Sequence, residues 1–306
     1  MSGVLIGFAI IGVIILIGFI VGRIGILGEH APQVLSRIVF FVLSPALLFT
    51  VLADADVHSL FSSMFLISAI TALIACLLFA GIALLIFRRK APEAVIGSMA
   101  AGYVNANNIG IPVAVYVLGD TAYSAPVLLF QLLVLAPISL GILDVTTSGK
   151  VSVKRILLQP VRNPIIIASV LGVIVSITGL ELPAAVMEPF RIVGAAAVPL
   201  VLIAFGMSLV GRRLLEPGSG RRDILLASFV KLAVMPVVAW LFGRFVFGLG
   251  QEQLFAVVVL AGLPTAQNVF VYAQRYNRGV AVARDTVLIT TIGSVPILVI
   301  VAALLA

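Results

Sequence analysis

Asn105, Asn107 and Asn108 sit in the stretch Ala100–Val117, AAGYVNANNIGIPVAVYV, just ahead of Gly110 and Pro112. Thr265, Gln267 and Asn268 accompany a second Gly-x-Pro, Gly262-Leu263-Pro264. These are neutral amides and a hydroxyl among apolar residues, beside prolines that remove a helical hydrogen bond and glycines that free the backbone. A helix interrupted this way leaves carbonyls bare on one piece and N–H groups bare on the next. The second pieces, starting at about Gly110–Pro112 and Gly262–Pro264, are expected to present the positive ends of helix dipoles, which bind anions. The chemistry that follows is reversible capture of an oxyanion such as a carboxylate, by groups weak enough to release it. Asn107, Asn108, Gly110, Pro112, Pro264, Thr265, Gln267 and Asn268 are the expected substrate-binding residues. The amides could equally serve the carbonyls that the prolines free, and that reading stays open here.

Lys231, Gln131 and Asn105 are further coupling or cavity candidates. An ionisable side chain such as Lys231 inside an apolar span is costly and therefore suggestive, although a lysine can also snorkel to the interface. Arg37 and Arg191 read as interface residues, Asp285 as an N-terminal cap of the last helix, and His58 as a solvated loop residue. No metal centre is expected: Cys76 is the single cysteine, and His30 and His58 are the only histidines. No cofactor is expected either. Sodium near Asn108 and Asn268, or a proton, is the coupling ion to consider.

These residues need a membrane around them. Of 306 residues, 62% are hydrophobic and 10% charged, against roughly 45–50% and 25% in soluble domains. Ten apolar spans account for the chain, the first at residues 3–22 and uncleaved, the fourth and ninth carrying the interruptions. With the N-terminus outside, fifteen of the nineteen Lys and Arg residues fall in cytoplasmic connections. That bias is the positive-inside pattern, so the net charge of +7 needs no nucleic acid. The absence of a Gly-rich loop ending in Gly-Lys-Ser/Thr sets an ATPase aside, and there is no HExxH metalloprotease motif.

The chain also repeats itself. Gly110-Ile111-Pro112 and Gly262-Leu263-Pro264 lie 152 positions apart, and Arg37-Ile38-Val39 and Arg191-Ile192-Val193 lie 154 apart. Two five-span repeats follow, 1–143 and 163–306, joined by a cytoplasmic connection over 144–162. An odd number of spans inverts the second copy, so that the broken fourth and ninth helices should cross near mid-membrane. The expected fold is an all-α membrane protein of ten transmembrane helices in a 5+5 inverted repeat.

Asn107-Asn108-Ile109-Gly110-Ile111-Pro112 and Gly262-Leu263-Pro264-Thr265-Ala266-Gln267-Asn268 resemble the crossover motifs of the auxin efflux carrier family. Its bacterial members are often labelled malate or malonate permeases. The resemblance implies a fold similar to that of bile-acid/sodium symporters. Helices 1, 2, 6 and 7 (about 3–53 and 163–210) would form a scaffold and a homodimer through helices 2 and 7. Helices 3–5 and 8–10 (about 59–143 and 223–305) would form a moving bundle. Asn108 and Pro112 would mark the first crossing, Pro264 and Asn268 the second. It implies elevator-type secondary transport of a mono- or dicarboxylate, malate-, malonate- or auxin-like, across the cell membrane, with a sodium-coupled symporter or an anion channel as alternatives. The third span lacks Asp and Glu, and no long hydrophilic loop divides the halves, so a small carboxylate suits this chain better than auxin.

Overall fold

A computed structural model describes residues 2–28, 30–54, 63–148, 163–210 and 220–305. His58 and most of the expected 144–162 connection lie outside the described residues; positions 144–148 instead continue the preceding helix. Every element of length is helical: α1 (Ser2–Ile24), α2 (Ala31–Asp54), α3 (Ser63–Ile86), α4 (Ala91–Gly102), α5 (Ala106–Leu118), α6 (Thr121–Thr147), α7 (Pro164–Thr178), α8 (Ala184–Ser208), α9 (Arg221–Val246), α10 (Gln251–Ala261), α11 (Gln267–Tyr276) and α12 (Val280–Leu305). Among the described residues six of these are long and apolar enough to cross a membrane: α2, α3, α6, α8, α9 and α12. Large apolar side chains such as Leu77, Leu85, Phe245 and Leu304 point outward, a surface that lipid covers and water would not tolerate.

Prolines end few of these helices. Pro45, Pro112, Pro137 and Pro236 each follow a five-residue π turn by two positions: Val39–Leu43, Ala106–Gly110, Gln131–Leu135 and Val230–Val234. Such a turn already shifts the hydrogen bonding to i→i−5, which gives the ring room and absorbs the missing donor. This corrects the placement of the first interruption. Gly110–Pro112 lies within continuous helix, and the chain breaks earlier, at Tyr103–Asn105, between α4 and α5. The second break, Gly262–Ala266, separates α10 from α11 and does contain its Gly-x-Pro.

The two Gly-x-Pro motifs are therefore not structural counterparts, and the 152-residue offset is superseded. Matching features lie 160 positions apart instead. The π turn Ile82–Ile86 is matched by Phe242–Val246. The exit bonds from Phe87 N to Ile82 O (3.0 Å) and Arg89 N to Ala83 O (2.8 Å) are matched by Phe247 to Phe242 (2.9 Å) and Leu249 to Gly243 (2.9 Å). Left-handed turn residues match as well, Arg88 with Gly248 (φ 52° and 59°) and Gly119 with Gly279 (φ 80° and 55°).

Helices α1, α2, α7 and α8 pack on one another, α1 along α8 and α7 along α2. Polar side chains tie the remaining helices together. Arg89 holds Asp223 with two nitrogens at 3.1 and 2.6 Å, Tyr276 donates to Asp144 at 2.6 Å, Tyr123 to Glu252 at 3.0 Å, and Arg278 meets Glu93 at 3.3 Å. The hydrogen bonds to the Asp223 carboxylate hold the Arg89 guanidinium above its ordinary pKa. In the first group Arg191 meets Asp54 at 3.2 Å. A longer contact, Gln267 Nε2 to Ser208 Oγ at 3.3 Å, runs between the groups.

Candidate functional site

The two interruptions touch, and their backbone groups account for each other. Val104 and Thr265 form an isolated antiparallel bridge. Asn105 N donates to Pro264 O at 2.8 Å, and Ala266 N to Tyr103 O at 3.0 Å. The bridge leaves the Val104 and Thr265 N–H groups to be satisfied from outside. Gln131 Oε1 on α6 accepts from Val104 N at 2.6 Å, and Thr290 Oγ1 on α12 accepts from Thr265 N at 3.0 Å. The carbonyls that end the first pieces are served too: Thr265 Oγ1 donates to Ala100 O at 2.6 Å, and Lys231 Nζ to Ala261 O at 2.9 Å.

Lys231 is fully buried, with Nζ also 3.0 Å from Met235 Sδ. Its Nζ sits at the C-terminal end of α10, where it donates to a carbonyl that has no partner within the helix. It does not snorkel. Gln131→Leu removes the acceptor for a buried N–H, an expense of about 1–3 kcal/mol. A lower thermal unfolding midpoint in detergent is the expected result.

Beside the crossing lies a cavity of about 380 Å³. Asn105, Asn107, Asn108, Gln131, Gln267 and Asn268 all line it. Gly110, Pro112, Pro264, Thr265 and Lys231 are not among its lining residues. Gly110 instead makes room for Leu263, whose Cδ1 would lie 3.0 Å from an added Cβ. Asn105 is the N-cap of α5: its Oδ1 accepts from Asn108 N at 3.2 Å. That bond fixes the amide orientation, so Nδ2 is the other terminal atom, and it is buried with no acceptor. An Asn three residues ahead of a second Asn at a helix start is a capping signal that the sequence carried.

Asn107 Nδ2 donates to Asn108 Oδ1 at 2.8 Å, and Asn107 Oδ1 is buried without a partner. Turning both amides over keeps the bond with its direction reversed and presents a donor in place of that oxygen. Among the described residues the backbone N–H groups of Asn107, Gln267 and Asn268 have no acceptor either. Unsatisfied donors thus gather where α5 and α11 begin, on one cavity wall.

The sequence reading passed over several lining residues. Tyr103 precedes the first break, and its buried hydroxyl is turned toward Asn268 without a well-formed hydrogen bond. Asn163 caps α7 by accepting from Ile165 N at 3.0 Å, the Asn-Pro pair being the available signal. Arg37, expected to be interfacial, stands on the cavity wall that α2 supplies, with Ser36, Phe40 and Phe41. Asp285 is not a cap: α12 begins at Val280, which puts it in the second turn, fully buried and accepting from Arg284 Nε at 2.7 Å.

Comparison with known proteins bears on what this cavity serves. The profile of the membrane transport protein family matches residues 4–152 and 146–302. An uncharacterised transporter of Methanothermobacter thermautotrophicus is 30% identical over 288 residues, 92% of this chain and 91% of its own length. A protein of Rhizobium meliloti named "Putative malonate transporter" is 27% identical over 292 residues, 92% and 89% of the two chains. The uncharacterised transporter YfdV of Escherichia coli K12 is 25% identical over 274 residues, 87% and 86%. Family and relatives alike are named as transporters and not as enzymes. Since the match spans both halves and includes both interrupted helices, this chain belongs to the membrane transport protein family, the auxin-efflux-carrier-like group that its crossover residues resemble.

Proposed function

We propose that the chain is a secondary transporter for a small organic anion, which it holds at the starts of α5 and α11. The observation that carries this reading is the cluster of unsatisfied donors, Asn105 Nδ2 and the N–H groups of Asn107, Gln267 and Asn268, all on residues that line one cavity. A carboxylate accepts up to about four hydrogen bonds, and two helix starts add a favourable field. The donors are neutral, so the ligand can leave. The malonate named for the Rhizobium meliloti relative belongs to this chemical class.

In this reading the twelve helices make ten spans, α4 with α5 and α10 with α11 counting as one each. The features repeated at 160 residues support a 5+5 duplication, inverted because five is odd. With the halves taken as 1–143 and 163–306, the positive-inside bias supports an N-terminus outside the cell and basic connections on the cytoplasmic side of the cell membrane. Arg37, Asn163 and Tyr272 line the cavity and are near the basic connections in sequence, which supports an inward-facing conformation. The helix packing and most of the polar ties support a division into a scaffold (α1, α2, α7, α8) and a bundle (α3–α6, α9–α12), one suited to elevator-type movement. An apolar groove of about 460 Å³ lined by Phe41, Pro45, Phe49, Phe190 and Val193 lies between α2 and α8, which supports a homodimer there. A sodium ion between Asn108 and Asn268 is the less favoured coupling device, because the unsatisfied groups gathered at the crossing are chiefly donors.

Purified protein in liposomes, offered labelled malonate, succinate, propionate and acetate under separate sodium and pH gradients, tests the proposal. Saturable uptake of at least one carboxylate is expected; Asn108→Ala and Asn268→Ala, which each remove a cavity-lining side-chain amide beside the four donors, are expected to lower it roughly 10–100-fold, as loss of one hydrogen bond to a charged group predicts. Absence of all carboxylate uptake, or single-channel currents in its place, would overturn it.

A further inference from the structure

The cradle described above is neutral, yet one lining residue of the cavity is charged. Arg37 projects from α2 on the wall formed with Ser36, Phe40 and Phe41, residues on adjoining turns of the same helix face. No aspartate or glutamate is among the lining residues. Arg37 is exposed, and it has no ion pair or hydrogen bond among the described residues. By contrast Arg89, Arg191, Arg278 and Arg284 each hold a carboxylate. A guanidinium on a cavity-lining residue without a counterion lacks the partner its planar fork fits best, a carboxylate.

The four donors of the cradle suffice for a single carboxylate, and a monocarboxylate seated there gives Arg37 nothing to hold. We infer that Arg37 binds the second carboxylate of a dicarboxylate whose first carboxylate occupies the Asn105–Asn108 and Gln267–Asn268 cradle, and thereby sets preference for dicarboxylates over monocarboxylates. This rests on the anion-transport reading and narrows its substrate class. The two binding groups sit on different bodies, Arg37 on the scaffold and the amides on the bundle. Movement of the bundle would therefore part them, so that the second carboxylate is held on the inward-facing side and let go on the other.

Malonate and propionate have the same three carbons and differ by one carboxylate, so they isolate the effect. Uptake into liposomes is measured for wild type, Arg37→Gln and Arg37→Lys, with the ligand-free unfolding midpoint of each variant as the check on folding. Wild type is expected to prefer malonate. Arg37→Gln is expected to raise the KM for malonate roughly 10–100-fold, the loss of a charge-assisted bond, and to leave propionate uptake unchanged. Arg37→Lys, which keeps the charge and loses the fork, should fall between them. An unchanged malonate KM in Arg37→Gln, or parallel loss of malonate and propionate uptake in a folded variant, overturns the role of Arg37 and leaves carboxylate transport standing. Failure of wild type to carry either compound overturns the role of Arg37, and failure to carry any of the four carboxylates overturns both.

Discussion

Asn105→Asp is expected to abolish carboxylate uptake at neutral pH, by roughly 100-fold or more, without removing the helix cap. The substitution preserves shape. The oxygen that accepts from Asn108 N remains, and aspartate caps a helix start as well as asparagine does. What changes is the other terminal atom. Nδ2, buried and without an acceptor, becomes a carboxylate oxygen beside the N–H groups of Asn107, Gln267 and Asn268. A donor is exchanged for a negative charge where the ligand's own charge must sit, and like charges in a poorly hydrated site repel strongly. Initial rates in liposomes at pH 7 measure the loss. Lowering the pH protonates the new carboxyl and returns a donor, so uptake by the variant should rise as pH falls. Wild-type rates at pH 7, or a loss that acid leaves untouched in a folded protein, would show that the cradle does not hold the anion.

The second large effect concerns stability. Gly206→Val is expected to destabilise the protein by about 3 kcal/mol or more, at the upper end of overpacking penalties. An added Cβ at Gly206 would run into the Ile15 carbonyl oxygen and lie 2.8 Å from Phe19 N and 3.0 Å from Gly18 Cα. These are backbone atoms of α1, which cannot rotate aside as a side chain can. Gly18 answers from the other helix, its added Cβ meeting backbone atoms of Ile203. Small residues that let helix backbones approach are the main device for packing helices in lipid, where no hydrophobic force drives them together. Gly12→Ala is the matched control, because nothing lies within 4 Å of its added Cβ. Unfolding midpoints in detergent should fall steeply for Gly206→Val and hardly change for Gly12→Ala; equal midpoints would place the contact between α1 and α8 elsewhere.

Much of the site could be read from residue types alone. Asn105, Asn107, Asn108, Gln131, Gln267 and Asn268 line one cavity, and each stood out as a polar group in an apolar span. Position within the break was less legible. Proline was read as the breaker at Pro112, but the preceding π turn lets the helix pass it, and the chain opens at Tyr103–Asn105 where no proline stands. Thr265 was expected to bind substrate, but it does not line the cavity. Both its N–H and its hydroxyl are spent on the crossing itself, on Thr290 and Ala100.

Composition and order along the chain determined the membrane environment, the helical class and the family, because lipid imposes a hydropathy so different from that of a soluble surface. They also determined which polar groups would be expensive to bury. Which expense is met within the protein and which is left for a ligand depended on distance, and only the tertiary structure decided that. Lys231 found a carbonyl 30 residues away in Ala261, and Val104 found Gln131. Asn105 Nδ2 and the neighbouring N–H groups found no partner. A hydrogen bond reaches about 3 Å, so satisfaction is a property of neighbours in space, and a linear sequence does not list them.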